Sequence, residues 1–332
     1  MSQFSGNVVS EDTGLITEVP AAQTAVAGRT LRSLAWRRLK QDKIALAGGV
    51  VVILLVLAAI FAPLVCDLLG IDAYKFNTSL LDPANSFPKG GSGISGAHWL
   101  GVEPASGRDI LARLLIGARI SLTIAVLATV LSILIGVTFG TIAGYSGGWV
   151  DTIISRIMDI MLAFPVLLFS IALLVIFASV PNILFISGSW VRITLLIFII
   201  GFFSWAYIGR VMRGQVLSLR EKEFVDASRS LGARNSRILV RELLPNLMAP
   251  ILVYATLTIP TNILTEAGLS FLGVGIQEPD PSWGKMLSTA QATVQIDPTY
   301  MLFPGLAIFV TVLAFNLFGD GLRDALDPRS NR

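Results

Sequence analysis

The sequence predicts an all-α polytopic membrane protein with six transmembrane helices and both termini in the cytoplasm. Three observations carry that expectation: the composition, the spacing of charged residues, and the side to which Lys and Arg sort. Of 332 residues, 54% are apolar and 14% charged, against about 25% charged in an ordinary water-facing domain. Mean hydropathy is +0.73. Most of the chain therefore cannot face water, and disorder, which needs low hydrophobicity and high net charge, is excluded for the chain as a whole. One cysteine, Cys66, excludes an intramolecular disulfide framework, and one histidine, His98, excludes a multi-histidine metal site.

Each span is read between consecutive charged residues, since about 20 apolar residues at ~1.5 Å rise cross a ~30 Å hydrocarbon core. The first runs from Ile44 to Cys66. The second lies within Ile120 to Val150 and ends at the Gly144-Tyr145-Ser146-Gly147-Gly148 turn signal. The third lies within Ile160 to Val191 and ends near Pro181-Asn182. Ile193 to Gly209, Leu243 to Thr265 and Pro298 to Gly319 complete the set. The first apolar run exceeds a 7–15-residue signal-peptide core and follows a long polar tail, so it reads as an anchor that stays. That tail is expected to be disordered up to about Arg29.

Lys and Arg are retained on the cytoplasmic side of a membrane. With six spans, eighteen basic residues fall inside. They are Arg29, Arg32, Arg37, Arg38, Lys40 and Lys43 in the tail, Arg156, eight from Arg210 to Arg241, and Arg323, Arg329 and Arg332. Six fall outside (Lys75, Lys89, Arg108, Arg113, Arg192 and Lys285), and Arg119 borders a span. The pI near 9.2 is thus a topology signal, with no nucleic acid needed to explain it. The tail cluster suits an anionic lipid surface as well.

The chain divides into a cytoplasmic tail (1–43), a first span (44–66), an external loop (67–117) and a five-helix core (118–332). Asp82-Pro83, Phe87-Pro88 and the Gly90–Gly96 cluster mark the external segment as loop. Gly136, Gly140 and Gly144 share one helix face, which lets another helix approach closely. Pro165, Pro250 and Pro260 remove backbone donors inside apolar stretches and read as kinks.

The longest internal loop, 213–245, reads as helix, turn, helix. Glu221, Glu223 and Asp226 suit a helix start, beside the positive end of its dipole. Phe224, Ala227, Ser228 and Leu231 share a face, and Gly232 reads as a left-handed stop. Ile238, Leu239 and Val240 lie on the second helix, and Leu244-Pro245 leads into the fifth span. Such a loop is suited to docking on a partner.

Asp226-Ala227-Ser228, three residues, Gly232, and then Leu244-Pro245 resembles the "EAA" loop of ABC importer permeases. The family pattern is Glu-Ala-Ala, three residues, Gly, nine residues, Ile, one residue, Leu-Pro. The spacing agrees throughout, with Asp226 for Glu, Ser228 for Ala and Glu242 for Ile. The resemblance extends to the dipeptide/oligopeptide class and its "C"-type subunit. It is carried by His98-Trp99-Leu100-Gly101, Gly107-Arg108-Asp109-Ile110-Leu111 and Gly117-Ala118-Arg119-Ile120-Ser121-Leu122. It continues in Glu266–Gly273 with Pro281-Ser282-Trp283-Gly284, and in Gly319–Arg329. Val102-Glu103-Pro104 stands where Thr-Asp is more usual.

The resemblance implies a type I (MetI-like) ABC importer permease core in a bacterial or archaeal cytoplasmic membrane. It implies transport without catalysis in this chain, with ATP and Mg on partner subunits and no cofactor of its own. The implied partners are a second homologous permease forming a heterodimer, two ATPases and an external substrate-binding protein. The implied coupling residues are Glu223, Phe224, Asp226, Ala227, Ser228, Leu231, Gly232, Ala233, Leu244 and Pro245. Substrate-path candidates are Glu266, expected just after span five, and Arg108 and Asp109, which can equally pair or cap locally. His98 reads as a turn residue.

Rival functions find less in the sequence. No Gly-x-x-x-x-Gly-Lys-Ser/Thr loop is present, and Gly284-Lys285-Met286 does not supply one. Gly93-Ile94-Ser95-Gly96 has the outline of an intramembrane serine protease motif, but it lies in a polar loop with the sole histidine three residues away. A channel or ion-coupled transporter calls for charges at mid-membrane or paired broken helices. The substrate stays open among dipeptides, oligopeptides, glutathione, nickel complexes and oligosaccharides.

Overall fold

Helix fills nearly every apolar stretch, but its boundaries are not those that charge alone marks out. The computed structural model of the protein describes residues 31–90, 92–177, 182–183 and 186–326. The expected tail disorder, and Arg29, Arg329, Arg332 and Pro181, fall outside these residues.

A short helix, α1 (Leu31–Gln41), is followed by α2 (Lys43–Ile60), which begins where the Asp42 carboxylate accepts the Ile44 and Ala45 amides, both at 3.0 Å. The helix ends at Ile60, before the apolar run reaches Cys66. Pro63 lacks an amide and its ring would crowd the Ala59 carbonyl, so the chain breaks at Phe61 and restarts as α3 (Ala62–Leu69).

The next helix, α4 (Ile110–Ser146), starts ten residues before the expected second span. Asp109 caps it by accepting the Ala112 amide at 2.7 Å. Residues 110–117 therefore belong to a helix and not to the external loop, and at about 1.5 Å per residue the 37-residue helix is ~55 Å long.

The third apolar stretch is the largest departure from expectation. It forms α5 (Gly148–Ala163) and α6 (Val166–Phe177), bent by 83° at Phe164-Pro165. Phe164 is extended (φ −80°, ψ 134°), the conformation a following proline imposes. A two-residue antiparallel pair, β1 (Asn182–Ile183) and β2 (Ile186–Ser187), leads to α7 (Ser189–Leu219). Arg210 and Arg213 thus continue a helix that was expected to stop at Gly209.

After α8 (Glu223–Ser230), the chain enters one long helix. Its parts are α9 (Asn235–Arg237), six π-helical residues (Ile238–Leu243) and α10 (Leu244–Phe271). The loop's second helix and span five are therefore continuous, and Leu244-Pro245 lies within that helix. Pro250 and Pro260 are inside α10, and Pro304 is inside α12 (Thr299–Leu326), which follows the short α11 (Trp283–Gln291). Among the described residues five helices are long and apolar enough to cross a membrane, with a sixth crossing if the bent α5–α6 pair is one span.

Helices α4 and α7 form the spine of the molecule. A Cβ on Gly136 would stand 2.8 Å from Ile208 Cβ, one on Gly140 2.4 Å from the Gly209 carbonyl oxygen, and one on Gly144 2.8 Å from the Arg213 carbonyl oxygen. The glycine face is the seam on which α7 lies. On the other side of α4, Ala118, Leu122 and Ala125 pack with Ile263 of α10, Trp283 of α11 and Phe315 of α12. The spine thus ties two ends of the molecule together, and the candidate sites lie at those ends.

Candidate functional site

At one end, the C-termini of α4 and α7 and the start of α9 carry α8 as a ledge. Eight residues cannot hold a helix alone, so tertiary anchoring must do it. Val225 is fully buried among Tyr145, Val216, Ile238, Leu243 and Leu247. The ledge closes on the Leu231-Gly232 stop expected of it. The Gly232 amide bonds Arg229 O (2.9 Å) and the Ala233 amide bonds Ser228 O (3.0 Å), with Gly232 at φ +76°. This pair of bonds is a Schellman motif, and Ala233 folds back on the same apolar cluster.

Polar contacts brace the helix ends beneath the ledge, and one of them reaches the ledge itself. Tyr145 donates its hydroxyl to Asn235 Oδ1 at 3.0 Å, and the Arg229 guanidinium stands 5.6 Å over the Tyr145 ring. Arg220 donates to the Gly144 carbonyl at 3.1 Å, placing a cation at the negative end of α4. Arg213 grips both Asp151 oxygens, at 2.5 and 2.7 Å, and so ties α7 to α5.

Glu223, Phe224, Asp226 and Ala227 are exposed, Ser228 is half-buried, and Leu231 is 87% exposed just before Gly232. The face read from the sequence is therefore the outward one. Leu244 is half-buried and Pro245 exposed in the long helix that supports it. An ordered helix holding out Phe224 and Leu231 amid Arg220, Glu221, Asp226 and Arg229 offers a partner an apolar centre and a charged rim. No sequence signal marks Val225 or the Arg213–Asp151 pairing, and Tyr145 stands in the sequence only as part of a turn. Val225 is adjacent to Phe224, and only packing tells which of the two faces in.

At the other end, Arg108 and Asp109 sit in the cap where α4 begins. Asp109 caps α4 and also pairs with His98, whose Nδ1 is 2.7 Å from Asp109 Oδ2. Arg108 is buried, with Nε 2.7 Å from Glu103 and Nη1 2.5 Å from Glu278. Arg113, fully buried one turn into α4, donates to Glu278 at 3.0 Å and to the Ala73 carbonyl at 3.3 Å. Glu103 accepts hydrogen bonds from Ser106 and from Tyr300 of α12, both at 2.5 Å. Two carboxylates and two guanidiniums balance, with Glu103 fully buried and Glu278 exposed at the rim, which lowers the cost of burying the two guanidiniums.

Burial alone would raise the Glu103 carboxyl. Arg113 and Arg108, with the Ser106 and Tyr300 hydroxyls, outweigh that and hold it below the usual carboxylate range. Burial pulls Arg108 down, but Glu278 and Glu103 more than offset it, and its pKa is raised. No sequence signal marks Arg113, Glu278 and Tyr300 as partners. They come from three separate segments, and no spacing pattern joins them.

Glu266 lies within α10 and does not follow a span that ends at Thr265. It is fully buried, accepting Ser270 Oγ at 2.7 Å and Ser121 Oγ of α4 at 2.9 Å. One turn earlier Asn262 donates to Thr129 of α4 at 2.8 Å and accepts from Ser204 of α7 at 3.3 Å. These polar groups join α10 to the spine, since each satisfies another inside an apolar bundle.

Comparison with known proteins fits this geometry. Residues 136–332, more than half the chain, match the family described as "binding-protein-dependent transport system inner membrane component". Residues 30–83 match the "N-terminal TM domain of oligopeptide transport permease C". The chain is 43% identical to the dipeptide transport system permease protein of Alkalihalophilus pseudofirmus over 89% of each chain. It is 42% identical to the oligopeptide transport system permease protein of Bacillus subtilis over 88% of each. It is 40% identical to the glutathione transport system permease protein of Pectobacterium atrosepticum, over 89% of this chain and 90% of the other. Several apolar spans, a rigid ledge at one end and this similarity along almost the whole length have one meaning: the chain belongs to the inner-membrane permease components of binding-protein-dependent, ABC-type transport systems.

Proposed function

We propose that this chain is the "C"-type half of a heterodimeric permease that moves dipeptides or oligopeptides inward across a bacterial or archaeal cytoplasmic membrane. Both termini and the α8 ledge face the cytoplasm. Two ATPase subunits bind ATP and Mg and drive the cycle, and an external binding protein delivers the peptide to the cap around Arg108. The chain itself catalyses nothing and holds no cofactor.

The observation that carries the coupling role is α8. It is an ordered helix anchored by one buried valine, and it presents Phe224, Asp226, Ala227 and Leu231 outward. A partner seated on α8 grips a handle whose Val225 packs among Tyr145 of α4, Val216 of α7 and Ile238 and Leu243 of the long helix, so a push there bears on three helices together. Glu223, Ser228, Gly232, Ala233, Leu244 and Pro245 shape and support the handle. The peptide substrate is favoured by the relatives at 42–43% identity. Glutathione, the substrate in the name of a relative at 40%, is the second reading.

Reconstitution tests the proposal. The chain, its sister permease, both ATPases and the binding protein in proteoliposomes should accumulate labelled dipeptide only with internal ATP. Uptake by the two permeases without ATPases would refute coupling, and accumulation of glutathione with exclusion of dipeptides would select the second reading.

A further inference from the structure

At the cap end, a cavity of about 300 Å³ lies between α4 and α7, outside the buried ion network. Arg119 and Thr123 of α4, Ser189 and Trp190 of α7, Tyr74 and Asp280 line it. Its volume is at the lower end of small-ligand sites. Arg119 is exposed and forms no hydrogen bond or ion pair among the described residues. Asp280 is half-buried, accepts one hydroxyl, from Tyr74 at 3.3 Å, and has no ion pair among the described residues. A second cavity of about 200 Å³ shares Ser189 and Asp280 and adds Arg192, which is likewise unpaired there, and Glu278.

The contrast with the network beside it is informative. Glu103, Arg108, Arg113 and Glu278 have spent their charges on one another. Arg119 and Asp280 face one chamber with their charges unspent. An open guanidinium is a fork for a carboxylate, and a lone carboxylate with an adjacent phenol suits an ammonium. We propose that this cavity is a transient reading site for a zwitterionic peptide. Arg119 takes the terminal carboxylate, Asp280 with Tyr74 takes the terminal ammonium, and Trp190 flanks the first side chain. The inference rests on the peptide reading above and deepens it, because it puts selectivity in the permease as well as in the binding protein. Arg119 is exposed, a fork held by no neighbour among the described residues, and such a hold is weak enough to release the peptide onward.

The test uses the assembled permease–ATPase complex in membranes without binding protein. Thr123→Cys, in a Cys66→Ala background, reports on the cavity through its rate of modification by methyl methanethiosulfonate. Excess Ala-Ala should slow that rate about tenfold or more, while N-acetyl-Ala-Ala-amide should not. Arg119→Gln should abolish protection, and Arg119→Lys should keep part of it, since charge survives but the fork is lost. Equal protection by both peptides, or protection unaffected by Arg119→Gln, overturns the proposal. No protection by Ala-Ala, in a complex that still accumulates Ala-Ala when its binding protein is added, overturns it too and leaves the peptide reading intact. A complex that accumulates no peptide at all removes both.

Discussion

Replacing Gly232 by alanine probes the handle through its backbone, at the addition of one exposed methyl group. Gly232 closes α8 at φ +76°, and a Cβ there would meet nothing within 4 Å. Sterics with neighbours contribute nothing, so the entire penalty is that of a left-handed L-residue, about 1–2 kcal/mol. The Schellman bonds Gly232 N–Arg229 O and Ala233 N–Ser228 O form only in that conformation. A binding partner that needs the closed ledge then meets a smaller competent fraction, and its apparent affinity falls by that fraction. One to two kcal/mol lowers the closed-to-open ratio by a factor of about 5–30, and that factor is the ceiling on the loss of affinity.

The assay is titration of the purified ATPase onto permease in lipid nanodiscs, with uptake measured in parallel. Gly232→Ala should weaken binding by no more than about 30-fold at unchanged membrane yield, whereas Gly232→Asn, which tolerates the left-handed region, should lose much less. If asparagine proves as damaging as alanine, small size rather than backbone conformation is what the position requires. If alanine weakens binding far more than about 30-fold, the loss is not that of the left-handed conformation. Either result refutes the reasoning.

Val225→Ala removes two methyl groups from the buried cluster, about 0.8 kcal/mol each before the cavity is counted, so α8 should loosen by about 2 kcal/mol. Limited proteolysis between Arg220 and Arg234 should speed up accordingly, while Phe224→Ala should weaken ATPase binding with proteolysis unchanged. Glu103→Gln leaves two buried guanidiniums facing one carboxylate and should cost the cap about 3–5 kcal/mol, read as a lower melting temperature of the purified complex. The Glu103 carboxyl is depressed in the folded state. Its stabilisation is therefore full above the unfolded value near ~4.3 and is lost as pH falls from there through the lower folded value. The melting temperature of wild type should drop over that acid window more than that of Glu103→Gln. Gly140→Ala would put a Cβ 2.4 Å from the Gly209 carbonyl oxygen and force α4 from α7 at about 1–3 kcal/mol. Gly214→Ala, with open space around it, should be neutral or better in the same melting assay.

The spans were legible because charge is expensive in hydrocarbon, and that same rule misplaced their ends. Reading from one charge to the next assumes that a charged residue terminates a span. Arg113 sits inside α4 because Glu103 and Glu278 meet it in the cap, and Arg213 sits inside α7 because Asp151 meets it. Paired charge lets a helix run past the membrane, so the long helices became visible only when the partners did. Proline was ambiguous for a related reason. Pro165 separates α5 from α6 by 83°, while Pro250, Pro260 and Pro304 are carried inside helices. All four remove one amide, and only the packing around each decides whether the helix continues.

The glycine face and the ledge were legible in a stronger sense, because both depend on local geometry. A four-residue glycine spacing has one physical use, close approach, and α7 makes that approach at Gly136, Gly140 and Gly144. A helix start, a shared face and a glycine stop defined α8 within its loop. What local geometry could not supply was the inward direction, since Phe224 and Val225 are adjacent apolar residues on an eight-residue helix. Here the structure adds a mechanical point. Val225 faces in, so the ledge is clamped to the same α4–α7 seam that the glycines close, and the far end of α4 is clamped by Arg113. A rigid helix held at both ends transmits displacement without needing a flexible relay. Loosening the seam at Gly140 should therefore uncouple ATP hydrolysis from uptake even where α8 still binds its partner.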